Sequence, residues 1–492
     1  MRARLLPDRS SAREGLIAFT SFAGGMRVLD YRNYMDGRFV DGTGAFAAIN
    51  PRTGQPTAWV HEADASLVDR AVDHAHEAFE QEWGRVGESD RSALLLDIAA
   101  AIEAHIDALV SAEVADTGQP EARIAEFDIA LASAQFRNCA EALESDSSGE
   151  RGERSSTHYL ARRPFGAVGI FPSWRLPILS LASTLAPVLA AGNTAVVKPA
   201  SDTPGAATLL ATVAADVGLP AGVYNVVHGF DSGQAAGRLS QHPRLHGVLH
   251  DGRRPQRRSG PSPSPHQAVT VAVVCADVDI AVVAEKVARS IVFNSGQVDE
   301  SVDRVYAERA VYGELCDRLR EAINRLRAGV DYGPLISRSH HDTVVQALER
   351  TACSGLTLLT ERDPSVLPRG LRGGFWLRPT LWAAENLAQA RSFERVDGPA
   401  GVLVPFDDEN DLSRRVFCDT GRVCASVWTD DVDRGHRIAR TVGAETVWVN
   451  SWFIDHPRLA QREEHSRRWT DGPATRIARY THVTRVFASS PN

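Results

Sequence analysis

The sequence predicts an α/β protein with two successive sheet regions, and three features carry that prediction. From about 165 to 282, buried apolar runs at 167–171, 194–197 and 223–227 alternate with helical stretches at 176–190 and 206–217. This is the pattern of parallel strands joined by crossover helices in a nucleotide-binding sheet. A second alternating stretch occupies about 282 to 450, opening on a helix at 282–293 and closing on the buried strand Thr446-Val447-Trp448-Val449-Asn450. Between 66 and 143 the chain is alanine-rich and amphipathic, with Asp64 or Ser66 and Glu88-Ser89-Asp90 as helix-starting caps.

Other elements follow in order. Residues 31–60 read as short alternating strands with turns at Asp36-Gly37, Asp41-Gly42 and Pro51-Arg52-Thr53-Gly54, which predicts an antiparallel entry layer. The polar stretch 144–156 leads into Thr157-His158-Tyr159-Leu160-Ala161, an exposed hairpin leaving the domain, and strand character returns at Arg479-Tyr480-Thr481-His482-Val483. No internal repeat is visible.

Composition sets the outer limits. A chain of 492 residues, 43% apolar and 24% charged, is long enough for two or three domains, and a net charge of -8 argues against a nucleic-acid binder. No apolar run reaches the roughly 20 residues that a membrane span needs. Cys139, Cys275, Cys316, Cys353, Cys418 and Cys424 are scattered without metal-ligand spacing, so no metal is expected and the cytoplasm is the expected address. Arg2, Arg4, Arg9 and Arg13 precede an apolar stretch at 16–26 that faintly resembles a secretory leader but lacks a convincing cleavage site. Either Met26 is the true start, as against Met1, or the segment is a loose N-terminal extension.

Eight strings in order carry a resemblance. They are Tyr34-Met35-Asp36-Gly37-Arg38-Phe39, Asn50-Pro51-Arg52-Thr53-Gly54, 185–194 (LAPVLAAGNT), Val197-Lys198-Pro199-Ala200, Gly218-Leu219-Pro220-Ala221-Gly222-Val223, Gly333-Pro334-Leu335-Ile336, Leu377-Arg378-Pro379-Thr380-Leu381 and Val447-Trp448-Val449-Asn450. From about Tyr34 to Val486 the chain resembles the aldehyde dehydrogenase superfamily. The resemblance implies an aldehyde dehydrogenase-like α/β fold: a Rossmann-type nucleotide-binding domain over 31–143 and 163–263, a catalytic-type domain over 264–450, and a small β oligomerisation element from 144–162 and 451–492, after an extension over 1–30.

The family's chemistry implies a thiolate nucleophile, an oxyanion-stabilising asparagine, a glutamate base and a nicotinamide hydride acceptor. In Asn294-Ser295-Gly296-Gln297-Val298-Asp299-Glu300, Gly296 and Gln297 place Asp299 at the cysteine position. Arg175, in Pro172-Ser173-Trp174-Arg175-Leu176-Pro177, stands for the asparagine, and Pro263 stands in the region of the glutamate. A carboxylate is a far weaker nucleophile than a thiolate, and a salt bridge between Asp299 and Arg175 is one expectation for the altered pocket. His266 is a candidate base, with a solvated loop histidine the preferred reading.

Cofactor determinants are mixed. By resemblance Lys198 reaches the adenosine ribose, although its acidic neighbour is replaced by Ser201. Gly252 survives from the pyrophosphate turn as a vestige, followed by arginines up to Arg258 that either bind phosphate or form a solvated loop. In Glu394-Arg395-Val396-Asp397-Gly398-Pro399, Arg395 replaces the ribose glutamate and Asp397 the phenylalanine, with Glu394 one residue off. The NAD(P) site therefore reads as impaired, and no cofactor is expected.

These losses predict a non-catalytic, pseudoenzyme-like subunit in a homo- or hetero-oligomer, including one with a catalytic aldehyde dehydrogenase. The alternative is a repurposed non-redox enzyme using Asp299, Glu300 and Arg175, and residual aldehyde oxidation is the last reading. Neither nucleic acid nor membrane is expected as a partner.

Overall fold

A computed structural model describes residues 18–21, 27–146, 152–153, 156–250, 269–361, 367, 369–417, 422–453 and 472–489. The nucleotide-type sheet has six strands in the order Val248–His250, Ala167–Phe171, Thr194–Val197, Tyr224–Val226, Asn33–Met35 and Arg38–Val40. The first four run parallel, and the Asn33–Met35 strand is antiparallel to its neighbour. The sheet's central strands are buried throughout, as a sheet covered by helices on both faces requires. The helix Pro177–Ala190 covers it; it begins with proline at its first turn, where the missing N–H costs nothing, and nearly all of its residues are buried.

The second sheet has seven strands, with Val269–Val274 between Arg304–Glu308 and Arg422–Trp428, and Ala400–Phe406 beyond Arg304–Glu308. Every residue of Ala400–Phe406 is buried. Asp279 caps the helix Ile280–Val292 by accepting from the N–H groups of Ala281 and Val282. That helix ends at Phe293, so the sheet and its crossover deliver the segment 293–300 to the start of the central strand Arg304–Glu308.

Two expectations about the entry layer change. Asn33–Met35 and Arg38–Val40 join the nucleotide-type sheet, and the separate four-stranded sheet is mixed, because Arg27–Tyr31 runs parallel to Gln55–Glu62. Alternation of side chains marks a strand but not its partner's direction. Part of the N-terminal extension is also ordered as a strand, Ala18–Ser21, paired with Arg27–Tyr31. The strand Ser156–Pro164 pairs antiparallel with Thr481–Ser489 along its whole length, uniting the two segments expected to form one β element. No helix among the described residues is long and apolar enough to cross a membrane.

Candidate active site

The loop after Phe293 is built around an unusual backbone. Asn294, Ser295 and Gly296 have φ of 49°, 59° and 71°, three successive residues in the left-handed region. Only glycine fits at 296, since a Cβ there would run into the carbonyl of Gly398. Such strain persists only where surroundings fix it, and here they do. Ser295 Oγ donates to the Gly333 carbonyl at 2.8 Å, Gln119 Nε2 lies 3.2 Å from both Ser295 Oγ and the Pro334 carbonyl, and Gln297 Oε1 accepts from Ile336 N at 2.9 Å.

The loop delivers Asp299 and Glu300, both half-buried. Thr270 Oγ1 donates to the Asp299 carbonyl at 2.6 Å, and Trp452 Nε1 donates to that of Glu300 at 3.2 Å. The thiol that the structure brings near these carboxylates is Cys424, on the strand beside Thr270. Burial pushes this thiol well up, and the charges of Glu300 and Asp299 push it further, so it stays protonated and a poor nucleophile.

Arg175 approaches from the start of the Pro177 helix. Its Nε donates to the Gln297 carbonyl at 2.7 Å, its guanidinium lies 4.8 Å from the Trp174 ring centre, and Asn294 Nδ2 donates to its carbonyl at 2.8 Å. The expected partner of this arginine was Asp299; the structure instead pairs Arg175 Nη2 with Asp397 Oδ2 at 2.7 Å. Arg395, in the ribose glutamate's place, reaches Asp303 at 2.6 Å. Burial works against the Arg395 charge, yet Asp303, Asp397 and Asp299 hold its pKa above the ordinary value. Each substituted arginine thus has a carboxylate partner, and that of Arg175 differs from the one expected.

His340 belongs to this cluster and sits in no motif of its own. Its Nε2 donates to the Asp397 carbonyl at 2.7 Å and its ring meets Trp174 edge-on at 5.6 Å. Burial holds its pKa below the ordinary value, so the ring is neutral at pH 7. Its place four residues after Ile336, where a framework string ends, is the signal that could have found it.

Just past the strand Thr194–Val197, Lys198 is buried, with Nζ donating to Asp231 Oδ1 at 2.5 Å and to the Pro199 carbonyl at 2.9 Å. Ser201 N donates to the same carboxylate at 3.2 Å. Burial lowers the Lys198 pKa and raises that of Asp202 to about 6, with Asp231 adding to the latter. An ammonium donor beside a half-exposed carboxylate acceptor is a donor set able to hold a ribose diol. The residues present here fit the adenosine end of NAD. Gly252, the arginine run up to Arg258, Pro263 and His266 lie outside the described residues.

Comparison with known proteins decides the family. The aldehyde dehydrogenase family profile matches residues 39–461. The chain belongs to the aldehyde dehydrogenase family. A 2-aminomuconic 6-semialdehyde dehydrogenase of Pseudomonas sp. is 35% identical over 447 residues, covering 86% of this chain and 90% of that one. A 2-hydroxymuconic semialdehyde dehydrogenase of Pseudomonas sp. (strain CF600) is 33% identical, covering 88% and 93%. An indole-3-acetaldehyde dehydrogenase solved in complex with NAD+ shares the fold at 22% identity and a TM-score of 0.80, covering 94% of this chain and 97% of that one.

These findings correct two expectations. Relatives aligned over nearly the whole chain are named as dehydrogenases, which overturns the reading as a non-catalytic subunit, together with its non-redox alternative, in favour of a catalytic aldehyde dehydrogenase. The expectation of no cofactor falls with it, since a family neighbour is solved with NAD+.

Proposed function

We propose that this chain is an NAD-linked dehydrogenase of a carboxylate-bearing semialdehyde, the substrate class of its muconic semialdehyde relatives, working in the cytoplasm as a homo-oligomer. The observation that carries the reading is the seating of the 293–300 loop. Three side-chain contacts pin its strained backbone, and Asp299 is left half-buried two residues beyond the carbonyl that Arg175 holds.

A carboxylate at 299 does not form a thioester. The reacting form in this proposal is the aldehyde hydrate, which already contains the second oxygen of the product acid. Asp299 accepts a hydrogen bond from one hydroxyl of the hydrate and takes its proton as the carbon is oxidised. Arg175 holds the oxygen on which charge changes: Nε and Nη2 are engaged with Gln297 and Asp397, and Nη1 has no hydrogen-bond partner among the described residues. Asp397 keeps the arginine charge balanced in the half-buried cleft. Lys198 and Asp231 hold the adenosine ribose of NAD, which supplies the hydride acceptor. Aldehyde, water and NAD+ give acid, NADH and a proton, with further ionisation of the acid in solution.

The test is to incubate the purified full chain with freshly generated 2-hydroxymuconic semialdehyde and NAD+, following NADH by absorbance and the acid by mass spectrometry. Matched formation of both is expected. Absence of both across carboxylated and neutral aldehydes overturns the proposal.

A further inference from the structure

Next to the start of the Pro177 helix lies a buried pair of acids. Glu113, in the helix Ile106–Thr117, and Asp128, in the π-helical turn Ile124–Ile129, are both 0% exposed. One oxygen of Glu113, Oε2, accepts from the N–H of Ile178 at 3.2 Å, while its Oε1 is buried and meets no N–H donor among the described residues. The two acid side chains hydrogen-bond each other. Arg123 engages Asp128 as well, with Nη1 donating to Oδ1 at 3.1 Å and Nη2 at 2.9 Å from Oδ2. The Arg123 guanidinium in turn lies 5.5 Å from the ring centre of Phe293, where the strained loop begins.

Two carboxylates cannot hydrogen-bond each other, since neither has a hydrogen to give, and two buried anions beside one arginine leave a charge uncompensated. One proton resolves both. Arg123 assigns it: the arginine forks onto Asp128 and favours the Asp128 anion, so the proton sits on Glu113. Burial, and then the Asp128 charge, push the Glu113 pKa well above the ordinary carboxylate range, with Arg123 opposing. Burial raises that of Asp128 too, but Arg123 and the hydrogen bond from Glu113 draw it back. A neutral acid offers one acceptor oxygen and one O–H donor, which are the two groups that Glu113 needs here.

We propose that Glu113 is a positioning residue held as the neutral acid: Oε2 accepts from Ile178, the O–H on Oε1 donates to Asp128, and the chain from Ile178 through Arg123 to Phe293 clamps the Arg175 segment against the strained loop. Ile178 lies in the first turn of the helix Pro177–Ala190, and Arg175 stands two residues before it. That Arg175 holds a reacting oxygen rests on the dehydrogenase reading above; the clamp itself does not.

Glutamine at 113 also accepts at one atom and donates at another, with no proton to lose. The test compares full-length wild type, Glu113→Gln and Glu113→Ala by hydrogen exchange of the peptide 173–180, by infrared spectra in heavy water at pH 7, and by urea unfolding across pH. Glu113→Ala is expected to raise exchange at 173–180 by about tenfold, the scale of one lost hydrogen bond. Glu113→Gln should keep wild-type protection and lose the carbonyl band of one neutral carboxyl. Because the folded pKa lies above the unfolded value of about 4.3, the folded chain keeps this proton as pH rises. Wild-type stability therefore falls above about pH 4.3 relative to Glu113→Gln, by up to about tenfold in the folding constant per pH unit. Asp116 on the same helix, whose pKa burial raises to about 8, is common to both proteins and cancels in that comparison. Faster exchange in Glu113→Gln than in wild type, identical infrared bands, or parallel pH profiles overturns the proposal, and these comparisons stand even where Glu113→Ala does not fold. No arm needs turnover, so absence of NADH formation with the expected results rejects the dehydrogenase reading alone. NADH formation with any of the overturning results rejects this assignment alone.

Discussion

Arg175 and Asp397, 222 residues apart in the chain, meet at 2.7 Å with side chains only 16% and 13% exposed. The pair ties the start of the Pro177 helix to the segment that precedes the Ala400–Phe406 strand. Removing one partner strands the other charge in a half-buried place. Asp397→Asn is therefore expected to destabilise the fold by about 2–3 kcal/mol, below the full cost for a sealed pair. The double variant Asp397→Leu/Arg175→Met should recover most of that. Urea unfolding of wild type, the single variants and the double variant measures it, and additive losses would contradict the pairing.

Arg395 and Asp303 form the second pair at 2.6 Å, with the Asp303 side chain 9% exposed. Arg395→Ala removes the arginine charge from beside that buried carboxylate, so a loss of about 3 kcal/mol is expected. Arg395→Glu, which restores the family's residue at this position, should cost more, because it places like charges together. Thermal unfolding checks both, and an Arg395→Glu protein as stable as wild type would show that the position is free to change without Asp303.

In the proposed NAD site, Lys198 and Asp231 hold the adenosine end. Lys198→Met should weaken NAD binding by about tenfold, as expected for one charge-assisted hydrogen bond, read by quenching of tryptophan fluorescence. Unchanged affinity would remove the adenosine end from this cleft.

His228 is fully buried behind Lys198, where burial first and then the lysine charge depress its pKa to about 3. Its Nε2 lies 3.0 Å from Thr208 Oγ1. With the folded value below the unfolded one of about 6.5, the unfolded chain binds the proton first as pH falls. The stability contributed by neutral His228 is complete above about pH 6.5 and is lost towards pH 3, with a limiting slope of about 1.4 kcal/mol per pH unit. His228→Gln should flatten that part of the stability profile. A profile identical to wild type would contradict it.

Much of the fold was legible because framework strings fix turns and buried strands locally, as at Gly218-Leu219-Pro220 and Val447-Trp448-Val449-Asn450. Register around Gly296 and Gln297 likewise placed Asp299 just after the strained turn, where it is half-buried. Charge pairing was not legible. Arg175, Arg395, Asp299, Asp303 and Asp397 are chemically interchangeable as partners, and only backbone placement decides that Arg175 takes Asp397 and Arg395 takes Asp303. Asp231 was invisible for a related reason: it reaches Lys198 from a turn 33 residues on, outside any string. The expectation of an inactive subunit is overturned by relatives named as dehydrogenases, which no count of absent residues could register.

The most direct measurement is the rate of NADH formation by wild type and Asp299→Asn with 2-hydroxymuconic semialdehyde at saturating NAD+. Steady NADH production by wild type and a fall of about a hundredfold or more in the variant, the scale of losing a general base, is the predicted result. No NADH from wild type, or an undiminished rate in Asp299→Asn, would contradict it.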